Sequence, residues 1–137
     1  MSAYLDASVV VSLFVEDSHT SLAETWLAGL AEPPVMSRWT ALEFSAAIAT
    51  RARAGALAAA DRRAVEQEFS GWIAGLKTLA VSDADLTAAR DMIRFDEATL
   101  KGGDALHLAI CRRAGLPIKT FDRALGRAAE TMGVATA

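Results

Sequence analysis

Asp6, Glu43, Asp104 and Asp122 are the residues of this sequence whose type and placement suit chemistry. Asp6 directly follows the apolar run Ala3–Tyr4–Leu5, and Asp122 directly follows Ile118–Lys119–Thr120–Phe121. Asp104 opens a helical stretch after the pair Gly102–Gly103. In open α/β sheets, ligands bind at the carboxyl ends of the strands. Two acids at two strand ends, from opposite ends of the chain, can therefore converge on one site. Glu43 lies inside a helical stretch, and the residues three and four positions away, Trp39, Thr40, Ala46 and Ala47, are not basic. A surface glutamate usually has a Lys or Arg at such spacing, as Glu66 has in Arg62 and Arg63. Clustered acids without counter-charges repel one another unless a proton or a cation neutralises them. Mg2+ and Mn2+ take oxygen ligands of this kind. In phosphoryl chemistry such a cation binds the phosphate, activates a water and stabilises the leaving oxygen.

Each acid also has a plainer reading. Aspartate is a favoured helix N-cap, and Asp6, Asp104 and Asp122 all stand where a helix is expected to begin. Thr40–Ala41–Leu42–Glu43 fits a capping box if its helix starts late, and Glu68 also lacks a basic neighbour. A local surplus of positive charge runs from Lys101 to Arg127, with Lys101, Arg112, Arg113, Lys119, Arg123 and Arg127 against Asp104 and Asp122. It suits phosphate contacts, and equally well a solvated helix surface with bases near helix ends.

The elements that must position these residues alternate. Short apolar runs at Ser2–Leu5, Val35–Met36, Thr78–Val81, Pro117–Phe121 and Val134–Ala135 predict strands. Between them, helical spacing predicts helices at about 8–15, 21–30, 38–53, 58–75, 82–94, 104–114 and 122–132. Ser21–Leu22–Ala23–Glu24 and Ser82–Asp83–Ala84–Asp85 fit helix-opening boxes. Short strands alternating with helices predict an α/β fold, because parallel crossovers need a helix. The chain of 137 residues, 14.5 kDa, shows no repeat or linker and is expected to form a single domain, 1–137. A 53% hydrophobic and 23% charged composition excludes a disordered chain. The one cysteine excludes an internal disulfide and a cysteine zinc cage. With 14 basic and 17 acidic residues, net −3, the molecule as a whole is not a basic nucleic-acid binder. Any polyanion must be held by a local basic patch or by a metal. No targeting segment or membrane span is visible, so a soluble cytoplasmic protein is expected.

Taken in order, Tyr4–Leu5–Asp6–Ala7–Ser8, Leu42–Glu43, Leu100–Lys101–Gly102–Gly103–Asp104–Ala105–Leu106–His107–Leu108–Ala109 and Thr120–Phe121–Asp122 resemble the PIN-domain ribonucleases. The likeness is to the VapC-type toxins of bacterial toxin–antitoxin pairs, and it covers essentially the whole chain. It implies a three-layer α/β/α fold around a parallel five-stranded sheet. It implies metal-assisted hydrolysis of RNA phosphodiester bonds by an endoribonuclease. Asp6, Glu43, Asp104 and Asp122 would form an acidic quartet for one or two Mg2+ or Mn2+ ions, with Ser8 and Thr120 as its polar neighbours. Asp6 and Asp104 look like the most direct metal ligands, Asp122 would complete a second-metal side, and Glu43 would ligate or orient a water. The implied partners are an RNA substrate, a cognate VapB-type antitoxin and a second copy in a homodimer, with no membrane. Two departures stand out: Lys119 occupies a strand position the family usually fills with an apolar residue, and Gly102–Gly103 is looser than the usual small-residue pair.

His107, one turn after Asp104, reads as a histidine packed on a mostly apolar helix face, or else as a ligand or base. Cys111 reads as a small buried apolar residue, and His19 as a solvated loop histidine. Trp26, Trp39 and Trp72 fall on apolar stripes and so belong to the core, with Trp39 or Trp72 as alternative anchors for a dimer or antitoxin surface. No Gly-x-Ser-x-Gly elbow, Walker A loop or Gly-x-Gly-x-x-Gly run is present. The rival readings are a receiver-like phosphoacceptor domain and a non-catalytic PIN-like protein that binds RNA or a partner.

Overall fold

The computed structural model describes residues 2–95 and 99–137. Among them are four strands of two residues each, β1 (Tyr4–Leu5), β2 (Met36–Ser37), β3 (Thr78–Leu79) and β4 (Ile118–Lys119). The helices are α1 (Ala7–Phe14), α2 (Thr20–Ala28), α3 (Arg38–Arg53), α4 (Ala59–Ile73), α5 (Asp83–Phe95), α6 (Gly102–Ala114) and α7 (Arg123–Thr131). All pairings are parallel: β1 lies beside β4 and β2 beside β3. A bridge between Tyr4 and Val35 joins the two pairs, and a bridge between Ile118 and Thr136 extends the order on the far side. The sheet therefore runs β3–β2–β1–β4 among the described residues. In place of the expected fifth strand it has one bridge, at Thr136, rather than at Val134–Ala135.

The strands are shorter than the apolar runs that announce them, because the sheet is buried on both faces and its neighbours take over quickly. Tyr4 and Leu5 project to opposite faces, as successive strand residues must. Tyr4 joins a core with Ala89 and Met92 of α5, Ala105, Leu106 and Leu108–Cys111 of α6, and Leu125, Ala128 and Ala129 of α7. Leu5 joins a second core with Val9–Val11 of α1, Ala23 of α2, Phe44 and Ile48 of α3, and Phe69 of α4. The result is a helix–sheet–helix sandwich. Each fully buried side chain of this size contributes roughly 1.5–3 kcal/mol of burial energy.

Aromatic packing settles Trp72. Phe44 stacks on Phe69 at 4.0 Å between centroids, and Phe14 meets both rings and Trp72 edge-on at 5.5–5.8 Å. Trp72 is thus a member of the second core. Helix starts follow local chemistry in most places. Ser37 accepts from the Thr40 amide at the start of α3, which rules out the late start that would make Glu43 a capping residue. Ser82 and Asp85 exchange hydrogen bonds at 3.1 and 2.9 Å, forming the expected box before α5. The box expected at Ser21 does not form. α2 instead starts one residue earlier, where the Asp17 amide donates to Thr20 and Asp17 accepts from the His19 amide. Gly115, at φ 66°, takes the left-handed position that closes α6. Among the described residues, no helix is long and apolar enough to cross a membrane.

Candidate active site

Strand β1 ends at Leu5, and Asp6 follows it as the N-cap of α1. Its carboxylate is buried and hydrogen-bonded through both oxygens: Oδ1 accepts from Ser8 Oγ at 2.7 Å and the Val9 amide at 3.3 Å, while Oδ2 accepts from Thr120 Oγ1 at 2.7 Å and keeps a lone pair free of hydrogen bonds among the described residues. Burial pushes this carboxyl above the usual range, against the pull of the Thr120 and Ser8 hydroxyls. Both hydroxyls also work across the sheet. Ser8 Oγ accepts from the Phe121 amide at 3.0 Å, and Thr120 Oγ1 accepts from the Asp122 amide at 3.0 Å. Ser8 and Thr120 thereby lash the carboxyl end of β1 to that of β4.

Asp122 caps α7, with Oδ1 accepting from the Ala124 and Leu125 amides at 2.9 and 3.1 Å. Its second oxygen has no hydrogen-bond partner among the described residues. The plainer reading therefore holds for Asp6 and Asp122 as a local fact, and each keeps its carboxylate at a strand end while capping. It fails for Asp104. The N-cap of α6 is Lys101, and Asp104 is the third residue of the helix. Its carboxylate has no hydrogen-bond partner among the described residues. Burial raises its pKa, and the charge of Asp122 raises it further; Glu43 and Asp6 add to this, with only His107 pulling the other way. The four acids, drawn from α3, α6 and two strand ends, thus share one electrostatic field.

Glu43 reaches that field from α3. Its Oε2 is 2.6 Å from His107 Nε2, across 64 residues of sequence. His107 is buried, and its other ring nitrogen, Nδ1, is 2.7 Å from the Tyr4 hydroxyl. Tyr4 Oη in turn lies 2.7 Å from Ser37 Oγ and 3.1 Å from Thr40 Oγ1. With Nε2–H donating to the carboxylate, Nδ1 accepts from Tyr4, and Tyr4 accepts from Ser37. Among the described residues, every buried side-chain nitrogen and oxygen then has a hydrogen-bond partner. Burial drives the Tyr4 pKa up, so the phenol is neutral and available as the donor. Gly103 completes the arrangement. A Cβ there would stand 2.9 Å from Glu43 Oε1 and 3.0 Å from the Trp39 ring, and Trp39 Nε1 donates to the Gly103 carbonyl at 3.2 Å. The glycine is a close-approach position rather than a slack one, and Trp39 is a strut between α3 and α6.

His107 is the packed histidine its helix face suggested, but its hydrogen bonds tie it to the acids. Tyr4 and the Trp39–Gly103 contact were not legible as site residues. The only available signals were a lone tyrosine in an otherwise aliphatic strand and the glycine before Asp104. Lys119 does not point freely into solvent: its Nζ donates to the Ala137 carbonyl at 3.1 Å and sits 5.3 Å above the Trp26 ring. Cys111 is buried, with its thiol pushed up to about 12 by desolvation, and is inert.

Among the described residues, no Lys or Arg pairs with any of the four acids, and no three or more His, Cys, Asp or Glu side chains are grouped so that they could hold a metal ion as they stand. In its chemistry, the donor set nevertheless suits a hard divalent cation. It is all oxygen, it holds one half-buried carboxylate without a partner, and the mutual repulsion felt at Asp104 is what such an ion relieves.

The sequence matches the PIN domain family over residues 3–131. No curated protein matches it by sequence. Among solved structures, it is similar to VapC20 of Mycobacterium tuberculosis, described as a sarcin-ricin-loop-cleaving toxin, with TM-score 0.72, 20% identity, and 93% of this chain and 95% of that one covered. A toxin–antitoxin complex from Klebsiella pneumoniae matches with TM-score 0.65 and 18% identity, covering 88% of this chain and 87% of that one. FitAcB from Neisseria gonorrhoeae matches with TM-score 0.77 and 16% identity, covering 98% and 95%. At these identities the structures speak to the fold, which is the same helix–sheet–helix sandwich. The family match spans nearly the whole length, and on that ground the protein belongs to the PIN domain family.

Proposed function

We propose that this protein is a Mg2+- or Mn2+-dependent endoribonuclease of the VapC type, the toxic member of a toxin–antitoxin pair. The observation that carries the reading is Asp104, a half-buried carboxylate without a partner, set among Asp122, Glu43 and Asp6 in a PIN fold. Family membership removes the receiver-like rival. Asp6 and Asp104 would hold the ion, Asp122 would serve a second-ion side through its free oxygen, and Glu43 would ligate or orient the attacking water. When bound, a divalent cation supplies Lewis-acid polarisation of the phosphodiester and lowers the pKa of water.

The chain's own residues supply position. Ser8 and Thr120 hold both Asp6 oxygens so that the carboxylate cannot swing away. His107, backed by Tyr4, takes one Glu43 oxygen and leaves the other facing the start of α6. The helix N-terminus behind Asp104 favours negative charge and so suits a phosphate as well as the acids. A VapB-type antitoxin as partner is supported by the Klebsiella neighbour being a toxin–antitoxin complex. A homodimer and a cytoplasmic site of action complete the proposal.

The test is incubation of the purified, partner-free chain with a mixed pool of structured RNAs and Mn2+ or Mg2+. Discrete fragments that vanish with EDTA and with Asp104→Asn support the reading. Cleavage that survives both, or binding without cleavage at any target in the pool, overturns it, the latter in favour of a non-catalytic PIN-like protein.

A further inference from the structure

A cavity of about 350 Å³ opens directly beside the acids, and Ser8 and Asp122 belong to both. Its size is at the small end of the roughly 300–1,000 Å³ range of ligand sites, room for one flat ring system rather than a folded substrate. His19 and Phe121 line it as a stacked pair, 4.9 Å between centroids and 21° between planes. Asp17 lies on another wall and is fixed on both sides: Oδ1 accepts from the His19 amide at 2.7 Å and Oδ2 from Ser12 Oγ at 2.8 Å. Burial disfavours its charge, but these bonds outweigh burial and hold the carboxyl below its ordinary range, so the wall is an acceptor only. Arg51, the last lining residue of note, is a donor only and pairs with no acid among the described residues.

These features belong together chemically. Unpaired RNA bases are recognised by stacking on aromatic rings and by hydrogen bonds to their exposed edges. Stacking alone is worth roughly 1–3 kcal/mol per base and does not discriminate. Discrimination comes from the edge, and here a fixed acceptor and a cationic donor without an acid partner among the described residues line the same cavity. Guanine matches both, since N1–H and the N2 amino group suit a carboxylate, while O6 and N7 are the preferred acceptors for arginine. Uracil offers one N–H flanked by two carbonyl oxygens, which a carboxylate repels.

We propose that this cavity is a base-reading subsite that takes one unpaired guanine of the RNA next to the scissile phosphate, stacked against the His19–Phe121 pair. The substrate it serves rests on the nuclease reading above, whereas occupancy of the cavity by a guanine nucleotide does not. The subsite explains how an acidic protein selects RNA with one aromatic pair, one acid and one arginine, and it absorbs His19, which the acids do not use.

The experiment has two arms. In EDTA, guanosine 3′-monophosphate and uridine 3′-monophosphate are titrated into the protein, with the His19 ring resonances followed by NMR. Guanosine 3′-monophosphate is expected to bind at least fivefold more tightly than the uridine nucleotide. Ala47→Leu, which fills the cavity from α3, is expected to abolish the shift while leaving Tm within a few degrees. In the second arm, cleavage sites in the RNA pool are mapped with Mn2+ for wild type, Ala47→Leu and Arg51→Ala. Wild type should show guanine enriched about tenfold at one fixed position beside the cut. Ala47→Leu should flatten that enrichment to within twofold, and Arg51→Ala should raise KM about tenfold with little change in kcat. Equal binding of both nucleotides, or a His19 shift that persists in Ala47→Leu, overturns the proposal. Guanine-selective binding without any cleavage leaves the subsite standing and removes the nuclease reading instead.

Discussion

Asp85 and Asp104 are the same residue type at the same place, the third residue of α5 and of α6. Their helices pack against each other, and both N-termini favour negative charge. Yet their carboxyls move in opposite directions. For Asp85, burial works against the charge but is outweighed by Arg113 and Ser82, and its pKa falls below the usual range. Arg113 donates to both oxygens, at 2.7 Å from Nε and 2.9 Å from Nη2, and the Ser82 amide adds a third bond. Asp104 has burial and three like charges nearby, which outweigh the pull of His107, and its pKa rises. A fold that supplies a fork-shaped cation to one aspartate has left its twin without any. The first arrangement fastens α5 to α6. The second leaves repulsion that a proton or a bound cation relieves, the pattern expected where stability has been traded for function.

The largest predicted effect follows from the second arrangement. Asp104→Asn keeps the shape and removes the charge. Several kcal/mol of transition-state stabilisation is lost with it, so RNA cleavage should fall on the order of 1,000-fold, measured as kcat/KM under Mn2+. The same variant should melt higher than wild type in EDTA, by a few degrees, because an ionised carboxylate disfavoured by the fold has gone. Asp6→Ala should not share that gain. Its carboxylate caps α1 and accepts two hydroxyl bonds, all of which the alanine forfeits.

The opposite sign is predicted at the paired site. Asp85→Asn should lower stability by about 2 kcal/mol at neutral pH, the scale of hydrogen bonds to charged groups in a pair whose arginine is part-exposed. Asp85 has a lowered folded pKa, so its contribution is complete above the unfolded value, about 3.9. It is lost as pH falls through the folded value. Melting wild type and Asp85→Asn side by side should therefore show a gap that is wide at pH 7 and closes below about pH 4. Cleavage per folded molecule should stay within twofold. A cleavage loss as large as that of Asp104→Asn would erase the contrast.

Smaller effects sharpen how Asp104's neighbours are held. Gly103→Ala should cost about tenfold in cleavage, because the new methyl group collides with Glu43 Oε1 while Oε2 is tethered to His107. Its stability should change little, since alanine's better helix propensity offsets part of the strain. Tyr4→Phe removes the donor to His107 Nδ1 and should cost about 1–2 kcal/mol of stability, read by denaturant unfolding.

What the sequence showed of this contrast depended on range. The Ser82–Asp85 box spans four residues and is visible in any reading of helix starts. Asp6 and Asp122 stand after recognisable apolar runs, so their strand-end positions were legible, although the runs overstate strands that pair for only two residues. Arg113, by contrast, comes to Asp85 from 28 residues away and His107 to Glu43 from 64. Helical spacing cannot reveal such partners, which is why Glu43 looked merely unpaired. Asp104 looked like a cap, because nothing local says that Lys101 begins the helix. Gly102–Gly103 looked slack because a glycine's absent Cβ says nothing of what presses against it.

On the proposed reading, the unpaired acids, and not the paired Asp85, take a divalent cation. The decisive measurement is the shift in Tm on adding Mn2+ to wild type, Asp104→Asn and Asp85→Asn. Wild type and Asp85→Asn should each gain several degrees, and Asp104→Asn should gain little, since an ion that binds only the folded state stabilises in proportion to its occupancy. A full Mn2+ shift in Asp104→Asn, or its loss in Asp85→Asn, would contradict the claim.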